Sequence, residues 1–156
     1  FITQYLLDPT PSKIGIINEI SKALNKPSII NYKKSNSKIT IYNYLFNRSK
    51  EIFPPVEDWV KGIKDSDFVI TDSFHGVAFS LLFEKQFICI LNEKRGKTRM
   101  VGLLEQVGLL NRAISDDELQ NFSFDTFKKI NYELVKPKIT SLKEKATSLL
   151  NNFLIS

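Results

Sequence analysis

The sequence predicts an α/β fold in which a mostly parallel sheet carries helices on both faces. Short, strongly apolar segments such as Asp67–Thr71 and Phe87–Leu91 are typical of buried strands. Segments with helical apolar spacing lie between them, and residues rich in Pro, Asn and Gly bound both kinds of segment. Strands that alternate with helices pair in parallel, because each helix crosses back over the sheet. The expected architecture is therefore Rossmann-like, with residues 1–156 forming a single domain.

Composition excludes several other classes of protein. The 156 residues are 42% apolar and 25% charged, which is typical of one globular domain and not of a disordered chain. The lone Cys89 excludes a disulfide scaffold, and its place in an apolar segment predicts an inert buried thiol. The longest apolar stretches, Val77–Phe83 and Phe87–Leu91, are shorter than the roughly 18 residues that a bilayer-spanning helix needs. Because the chain opens on Phe1 with no initiator Met, we expect a piece of a longer protein.

The first half of the chain contains one clear helix signal. We expect this helix to begin at Pro11 or Ser12 and to end at Asn25. Its apolar stripe consists of Ile14, Ile17, Ile20 and Leu24. The strand candidates of this half are Ile2–Leu7, Ser28–Asn31 and Ile39–Tyr42.

The second half contains two strands and four helices. The strands are Asp67–Thr71 and Phe87–Leu91. The helices lie around Val56, Val60 and Ile63, over Gly76–Phe83, over Thr98–Val107, and from Lys136 onward. Pro137 is expected in the first turn of the last helix. The apolar stripe of that helix consists of Ile139, Leu142, Ala146, Leu149, Leu150 and Phe153.

One candidate site follows the strand that ends at Thr71. In open α/β sheets, ligands bind beyond the carboxyl ends of the strands, and there the chain places its single His75. An imidazole can donate and accept protons near neutral pH, although at a helix start it can also serve only as a cap. Ser73 is expected to cap the next helix, whose free N–H groups favour an anion. Asp72 is either a turn residue or a functional one, and Gly76 allows close approach of a ligand or of the strand.

A second candidate site is a basic loop after the strand that ends at Leu91. Its cations are Lys94, Arg95, Lys97 and Arg99, placed around Gly96. Arg binds carboxylate and phosphate bidentately, so an acidic small molecule is the natural partner, and a merely solvated loop is the alternative. The remaining lysines near the C-terminus, including Lys128 and Lys129, are typical of a solvated helix face. Nucleic acid is disfavoured because the basic residues lack interleaved aromatics, and no metal-ligand spacing occurs.

The motif Asp67–Ser80, together with Phe87-Ile88 and Lys94-Arg95-Gly96, resembles the C-terminal half of the polysaccharide pyruvyl transferase family. The segment Pro54–Trp59 is similar to the one that precedes this motif in the family. The resemblance extends from Tyr5 to Leu154, although the most specific part is the central motif.

This resemblance implies an enzyme of two Rossmann-like halves, similar to two-domain glycosyltransferases of the B type, with this chain as the C-terminal half. It implies transfer of enolpyruvate from phosphoenolpyruvate to a sugar of a surface polysaccharide, without a cofactor and in the cytoplasm or at the inner face of the membrane. The implied partners are phosphoenolpyruvate, a saccharide acceptor and an N-terminal domain of the same chain. His75 is the implied catalytic residue. The implied substrate-binding residues are Asp72, Ser73, Gly76, Lys94, Arg95 and Arg99.

One position departs from the pattern of the family. Some members have an Arg two residues before the motif His, where this chain has Ser73. Either Arg95 or Arg99 supplies the missing cation, or the donor is a different one. Two other functions stay open on the sequence: a half that binds a nucleotide sugar in a glycosyltransferase, and a non-catalytic module whose basic loop docks an acidic partner.

Overall fold

The fold is built on a sheet of five parallel strands. The computed structural model describes residues 1–30, 55–92 and 96–155. Its strands are β1 (Ile2–Tyr5), β2 (Ser28–Ile30), β3 (Phe68–Thr71), β4 (Gln86–Ile90) and β5 (Ala113–Ile114), in the spatial order β2-β1-β3-β4-β5. Every neighbouring pair runs parallel. The predicted α/β class with a parallel, Rossmann-like sheet is therefore confirmed.

Five α-helices accompany the sheet in the described residues. They are α1 (Pro11–Leu24), α2 (Val56–Asp65), α3 (Phe74–Leu82), α4 (Lys97–Val107) and α5 (Tyr132–Ile155). Short 3₁₀ segments occupy Leu110–Arg112, Asp116–Asn121 and Phe124–Thr126. The strand candidate Ile39–Tyr42 lies outside the described residues. The two-residue strand β5 was not predicted, since so short a strand has no readable period.

The ends of α1 follow from local chemistry. The hydroxyl of Thr10 accepts the backbone N–H of Lys13 at 3.3 Å, and Pro11 takes the first helical position, where its missing N–H costs nothing. Asn25 closes the helix in the left-handed conformation, with φ of 50°. The predicted apolar stripe of α1 was wrong at one position: Ile14 is 40% exposed, and Ile16 is buried in its place.

The two faces of the sheet carry separate hydrophobic cores. In β3, Val69 points to one core, while Phe68 and Ile70 point to the other. The core around Val69 includes side chains of α2, α3, α4 and α5, and the opposite core includes those of α1 and of Leu119. Successive side chains of a strand point to opposite faces, so a strand covered on both sides is apolar at every position. The predicted helical cover of both faces is confirmed.

The C-terminal helix differs from the prediction. It begins at Tyr132 rather than near Lys136, and Pro137 lies inside it. The Tyr132 side chain anchors the first turn, because its buried hydroxyl donates to the backbone carbonyls of Ser80 and Lys85. The predicted apolar stripe is continuous with the core only in its first half. Its later members are exposed: Leu149, Leu150 and Phe153.

Candidate functional site

The strand order fixes where a ligand crevice lies. From β1 the chain moves outward to β2, and β3 then lies on the other side of β1. Ligands of open α/β sheets bind at such a reversal, outside the carboxyl ends of the strands. The residues that follow β1, β3 and β4 therefore meet at one edge. We call this group the carboxyl-edge site: Asp8, Asp72, Ser73, His75, Asn92 and Arg99, with Lys13 beneath it.

A buried ion pair underlies the carboxyl-edge site. The carboxylate of Asp72 is 0% exposed and lies 2.8 Å from the ammonium of Lys13, which is itself buried. The same carboxylate accepts the backbone N–H groups of Leu7 at 2.6 Å and of Asp8 at 3.1 Å. Lys13 also donates to the backbone carbonyl of Asp8 at 3.0 Å. Through these contacts, the Asp72 carboxylate ties the end of β3 to the β1–α1 loop. Contact of Asp72 with substrate stays a prediction.

A second contact joins the β1–α1 loop to the residues after β4. The side-chain amide of the buried Asn92 donates to the carboxylate of Asp8 at 2.7 Å. Since β3 lies between β1 and β4 in the sheet, this hydrogen bond passes above the carboxyl end of β3. It therefore ties the residue that follows β4 to the β1–α1 loop across the end of β3.

The start of α3 presents His75 to solvent. Ser73 takes the N-cap position, but its side chain makes no capping hydrogen bond, so the predicted side-chain cap is wrong. Its backbone N–H instead donates to the hydroxyl of Thr71 at 3.1 Å. The imidazole of His75, in the first turn, is exposed, and its ring meets that of Phe74 at a centroid distance of 5.9 Å. An imidazole in this position can reach a bound molecule, and the adjoining first turn has N–H groups without intrahelical acceptors.

Gly76 lets α3 pack against the end of β3. A Cβ atom at this position would lie 2.1 Å from the hydroxyl oxygen of Thr71 and 2.8 Å from its Cβ. The Thr71 hydroxyl is fixed in turn, because it donates to the carbonyl of Tyr5 at 2.8 Å. Of the two partners that the sequence left open for Gly76, the structure places the strand against it. Contact of Gly76 with substrate stays a prediction.

Arg99 brings the second predicted cluster to the same rim. It lies in the first turn of α4, after Gly96 with φ of 75°, and its side chain is exposed. Its guanidinium carbon lies 5.3 Å from the centroid of the Phe74 ring, which is also the ring beside His75. The structure therefore brings His75 and Arg99 together on one rim. Lys94 and Arg95 lie outside the described residues.

Three residues of the carboxyl-edge site were not predicted to have a role there: Asp8, Lys13 and Asn92. Asp8 and Asn92 carried a usable signal, because each is a polar residue placed directly after a strand. Lys13 gave no such signal, since a Lys in the first turn of an amphipathic helix is usually exposed. Within the described residues, His, Cys, Asp and Glu side chains form no group of three that could hold a metal ion. None of the described helices is long and apolar enough to span a membrane.

The comparisons with known proteins give one match. The family model of polysaccharide pyruvyl transferases matches residues 6–94 of the 156-residue chain. This span begins directly after β1, contains β2 to β4, His75 and the buried pair of Lys13 and Asp72, and ends before α4. No curated protein and no solved structure matches the chain.

Proposed function

The chain belongs to the polysaccharide pyruvyl transferase family, and from this premise we propose that its carboxyl-edge site transfers enolpyruvate from phosphoenolpyruvate to a sugar. The acceptor is proposed to be a saccharide of a surface polysaccharide, which receives the pyruvate as a cyclic ketal on two hydroxyls. The observation that carries the proposal is the shared rim of His75 and Arg99, an acid–base group and a cation that both lie beside the Phe74 ring.

The proposed chemistry needs a proton donor that can reach the substrate. A proton added to the methylene carbon of phosphoenolpyruvate creates an electron-poor carbon that one sugar hydroxyl attacks. Departure of phosphate then lets the second hydroxyl close the ring, and each hydroxyl gives up its proton. The exposed His75 is the proposed group for this proton transfer, since an imidazole can exchange protons near neutral pH.

The donor also needs cations and N–H groups for its phosphate and carboxylate. Arg99 is the described candidate, because its guanidinium lies on the rim and can form paired hydrogen bonds with either anion. The first turn of α3 offers backbone N–H groups beside His75. Lys94 and Arg95 keep their proposed role in donor binding on the sequence alone, and so does Ser73, which stands at the N-cap of α3.

Four groups of the carboxyl-edge site and its base, Asp8, Lys13, Asp72 and Asn92, are proposed to position its exposed groups. Asp72 and Lys13 fix the β1–α1 loop, and the contact between Asp8 and Asn92 fixes the start of the β4–α4 loop. The exposed groups on the rim thus have a rigid base. Such preorganisation lowers the cost of orienting donor and acceptor.

The donor assignment is tested by binding to the complete protein. Phosphoenolpyruvate should raise the melting temperature, and UDP should leave it unchanged. Arg99→Gln should weaken phosphoenolpyruvate binding roughly 10- to 100-fold, the value of a charge-assisted contact. Lys143→Gln, which removes an exposed cation of α5, is the matched control and should bind as the wild type does.

Two outcomes would overturn this assignment. Stabilisation by UDP and none by phosphoenolpyruvate would favour the nucleotide-sugar alternative. Loss of a protein complex in Arg99→Gln, with no response to either small molecule, would favour the non-catalytic docking module.

A further inference from the structure

A cavity opens at the amino ends of the strands, at the edge of the sheet opposite His75. Its volume is about 320 Å³, and we call it the amino-edge cavity. It is lined by Leu24, Lys26, Asp67, Phe68, Gln86, Arg112, Phe124, Phe127, Lys128 and Lys129. Asp67, Phe68 and Gln86 stand at or just before the first residues of β3 and β4, which places the cavity at this edge.

Arg112 is a buried cation in the wall of the amino-edge cavity. It is 3% exposed, and no carboxylate of the described residues lies within ion-pair distance of it. Its guanidinium donates to the backbone carbonyl of Lys128 and lies 5.4 Å from the centroid of the Phe127 ring. The Nε of Arg112 has no hydrogen-bond partner. A buried charge without a counter-ion is costly, and burial accordingly lowers the pKa of this guanidinium.

The other charges of the amino-edge cavity add to this excess. Asp67 is the one carboxylate of the lining, and it is paired with Lys26 at 2.8 Å. Lys128 and Lys129 are exposed and form no ion pair with any described residue. Both were predicted to lie on a solvated helix face, but they precede α5 instead. The amino-edge cavity therefore contains three cations that form no ion pair with a described residue: Arg112, Lys128 and Lys129. Another part of its wall is apolar.

The apolar wall limits the kind of anion that fits. Leu24, Phe68, Phe124 and Phe127 supply most of it. Pockets of about 300–1,000 Å³ with mainly apolar walls and a few polar groups are typical of small-molecule sites. Inorganic phosphate would leave these side chains in contact with water, whereas an anion attached to an apolar body would cover them.

We propose that the amino-edge cavity binds a small organic anion, a carboxylate or phosphate on an apolar body, with Arg112 as the main cation. The guanidinium supplies a positive charge in the wall of the cavity for such a group, and Lys128 and Lys129 attract it as point charges. The site is separate from the carboxyl-edge site, because the two lie at opposite ends of the same parallel strands. The proposal does not depend on enolpyruvyl transfer.

Phenyl phosphate is the probe for this proposal, with the complete protein titrated by calorimetry. We expect one binding site in the cavity, weaker binding of inorganic phosphate and no binding of benzyl alcohol. Lys128→Gln with Lys129→Gln should weaken phenyl phosphate binding roughly fivefold, and Arg112→Met roughly 10- to 100-fold. The matched control, Lys143→Gln with Lys145→Gln on α5, should bind as the wild type does.

The double lysine variant keeps the test valid if Arg112→Met fails to fold, because Lys128 and Lys129 are exposed. Unchanged affinity in the double variant would overturn the proposal. Loss of phenyl phosphate binding in Arg99→Gln would overturn it as well, because the probe would then occupy the carboxyl-edge site. Binding of phenyl phosphate by Arg99→Gln alongside failed phosphoenolpyruvate turnover by the wild type would contradict the proposed function and leave this cavity supported.

Discussion

The two edges of the sheet each contain a buried cation, but only one of the two cations is paired with a carboxylate of the described residues. At the carboxyl edge, Lys13 is paired with the Asp72 carboxylate, which also accepts two backbone N–H groups. At the amino edge, Arg112 has a backbone carbonyl and an aromatic ring but no carboxylate in the described residues. Removing one member of a satisfied buried pair is expensive, whereas an unpaired buried charge is itself a cost. Lys13 is thus part of the scaffold, and Arg112 is a group that a ligand could complete.

The largest effect on stability should come from the satisfied pair. Lys13→Met leaves the buried Asp72 carboxylate without its counter-ion, and Asp72→Asn does the same to Lys13. Each should lower the free energy of unfolding by about 3–5 kcal/mol. Urea denaturation followed by circular dichroism measures this. A loss below 1 kcal/mol in both variants would mean that the pair does not anchor the carboxyl edge.

Gly76→Ala should have the next largest effect on the free energy of unfolding. The added methyl group would overlap the fixed Thr71 side chain, 2.1 Å from its hydroxyl oxygen, so we expect a loss of about 1–3 kcal/mol from overpacking. Gly102→Ala is the matched control, because nothing lies within 4 Å of the added atom in the middle of α4. That variant should gain up to about 1 kcal/mol from helix propensity. Equal effects of the two variants would show that the close packing of α3 on β3 is not required.

Arg112→Met tests whether the two buried cations differ in what they contribute to stability. It removes a hydrogen bond and a ring contact, but it also removes an unpaired buried charge, so the two changes partly offset each other. We expect the free energy of unfolding to fall by less than about 2 kcal/mol, clearly less than in Lys13→Met. A loss in Arg112→Met as large as that in Lys13→Met would remove the distinction between the two edges.

The smallest effect is a pH dependence at the amino edge. The hydrogen bond from Lys26 holds the pKa of the Asp67 carboxyl below its usual range. Because this value lies below the ordinary one, the carboxylate stabilises the fold above about pH 4, and the contribution disappears as the pH falls toward 2. Asp67 is largely exposed, so we expect under about 1 kcal/mol. Asp67→Asn should lose less stability than the wild type between pH 4 and pH 2, and identical pH profiles would contradict this.

The elements whose signals are local could be predicted from the sequence. The two ends of α1, at Pro11 and Asn25, depend on residues within a few positions of each other, and so does the end of α4 at Gly108. The start of α5 could not be predicted from the sequence, because Tyr132 is held by backbone carbonyls of residues far away in the sequence. The position of Pro137 predicted a first turn near Lys136, and this prediction was wrong because the helix already begins at Tyr132.

The candidate site could be predicted where residue type and strand end coincide, as for His75 and Arg99. The buried cations could not be predicted. Lys13 meets Asp72, and Arg112 meets Phe127, only after the sheet has formed. An isolated Lys or Arg in a sequence is most often exposed, so its burial is a tertiary property.

The proposed transfer is measured directly as ketal formed from phosphoenolpyruvate by the complete protein with a saccharide acceptor. His75→Gln should reduce the rate roughly 100- to 10,000-fold while the protein stays folded, because the side chain is exposed and acts as the proposed acid–base group. Lys143→Gln should retain the wild-type rate. A His75→Gln rate within tenfold of the wild type would contradict the central claim that the rim at His75 and Arg99 performs the transfer.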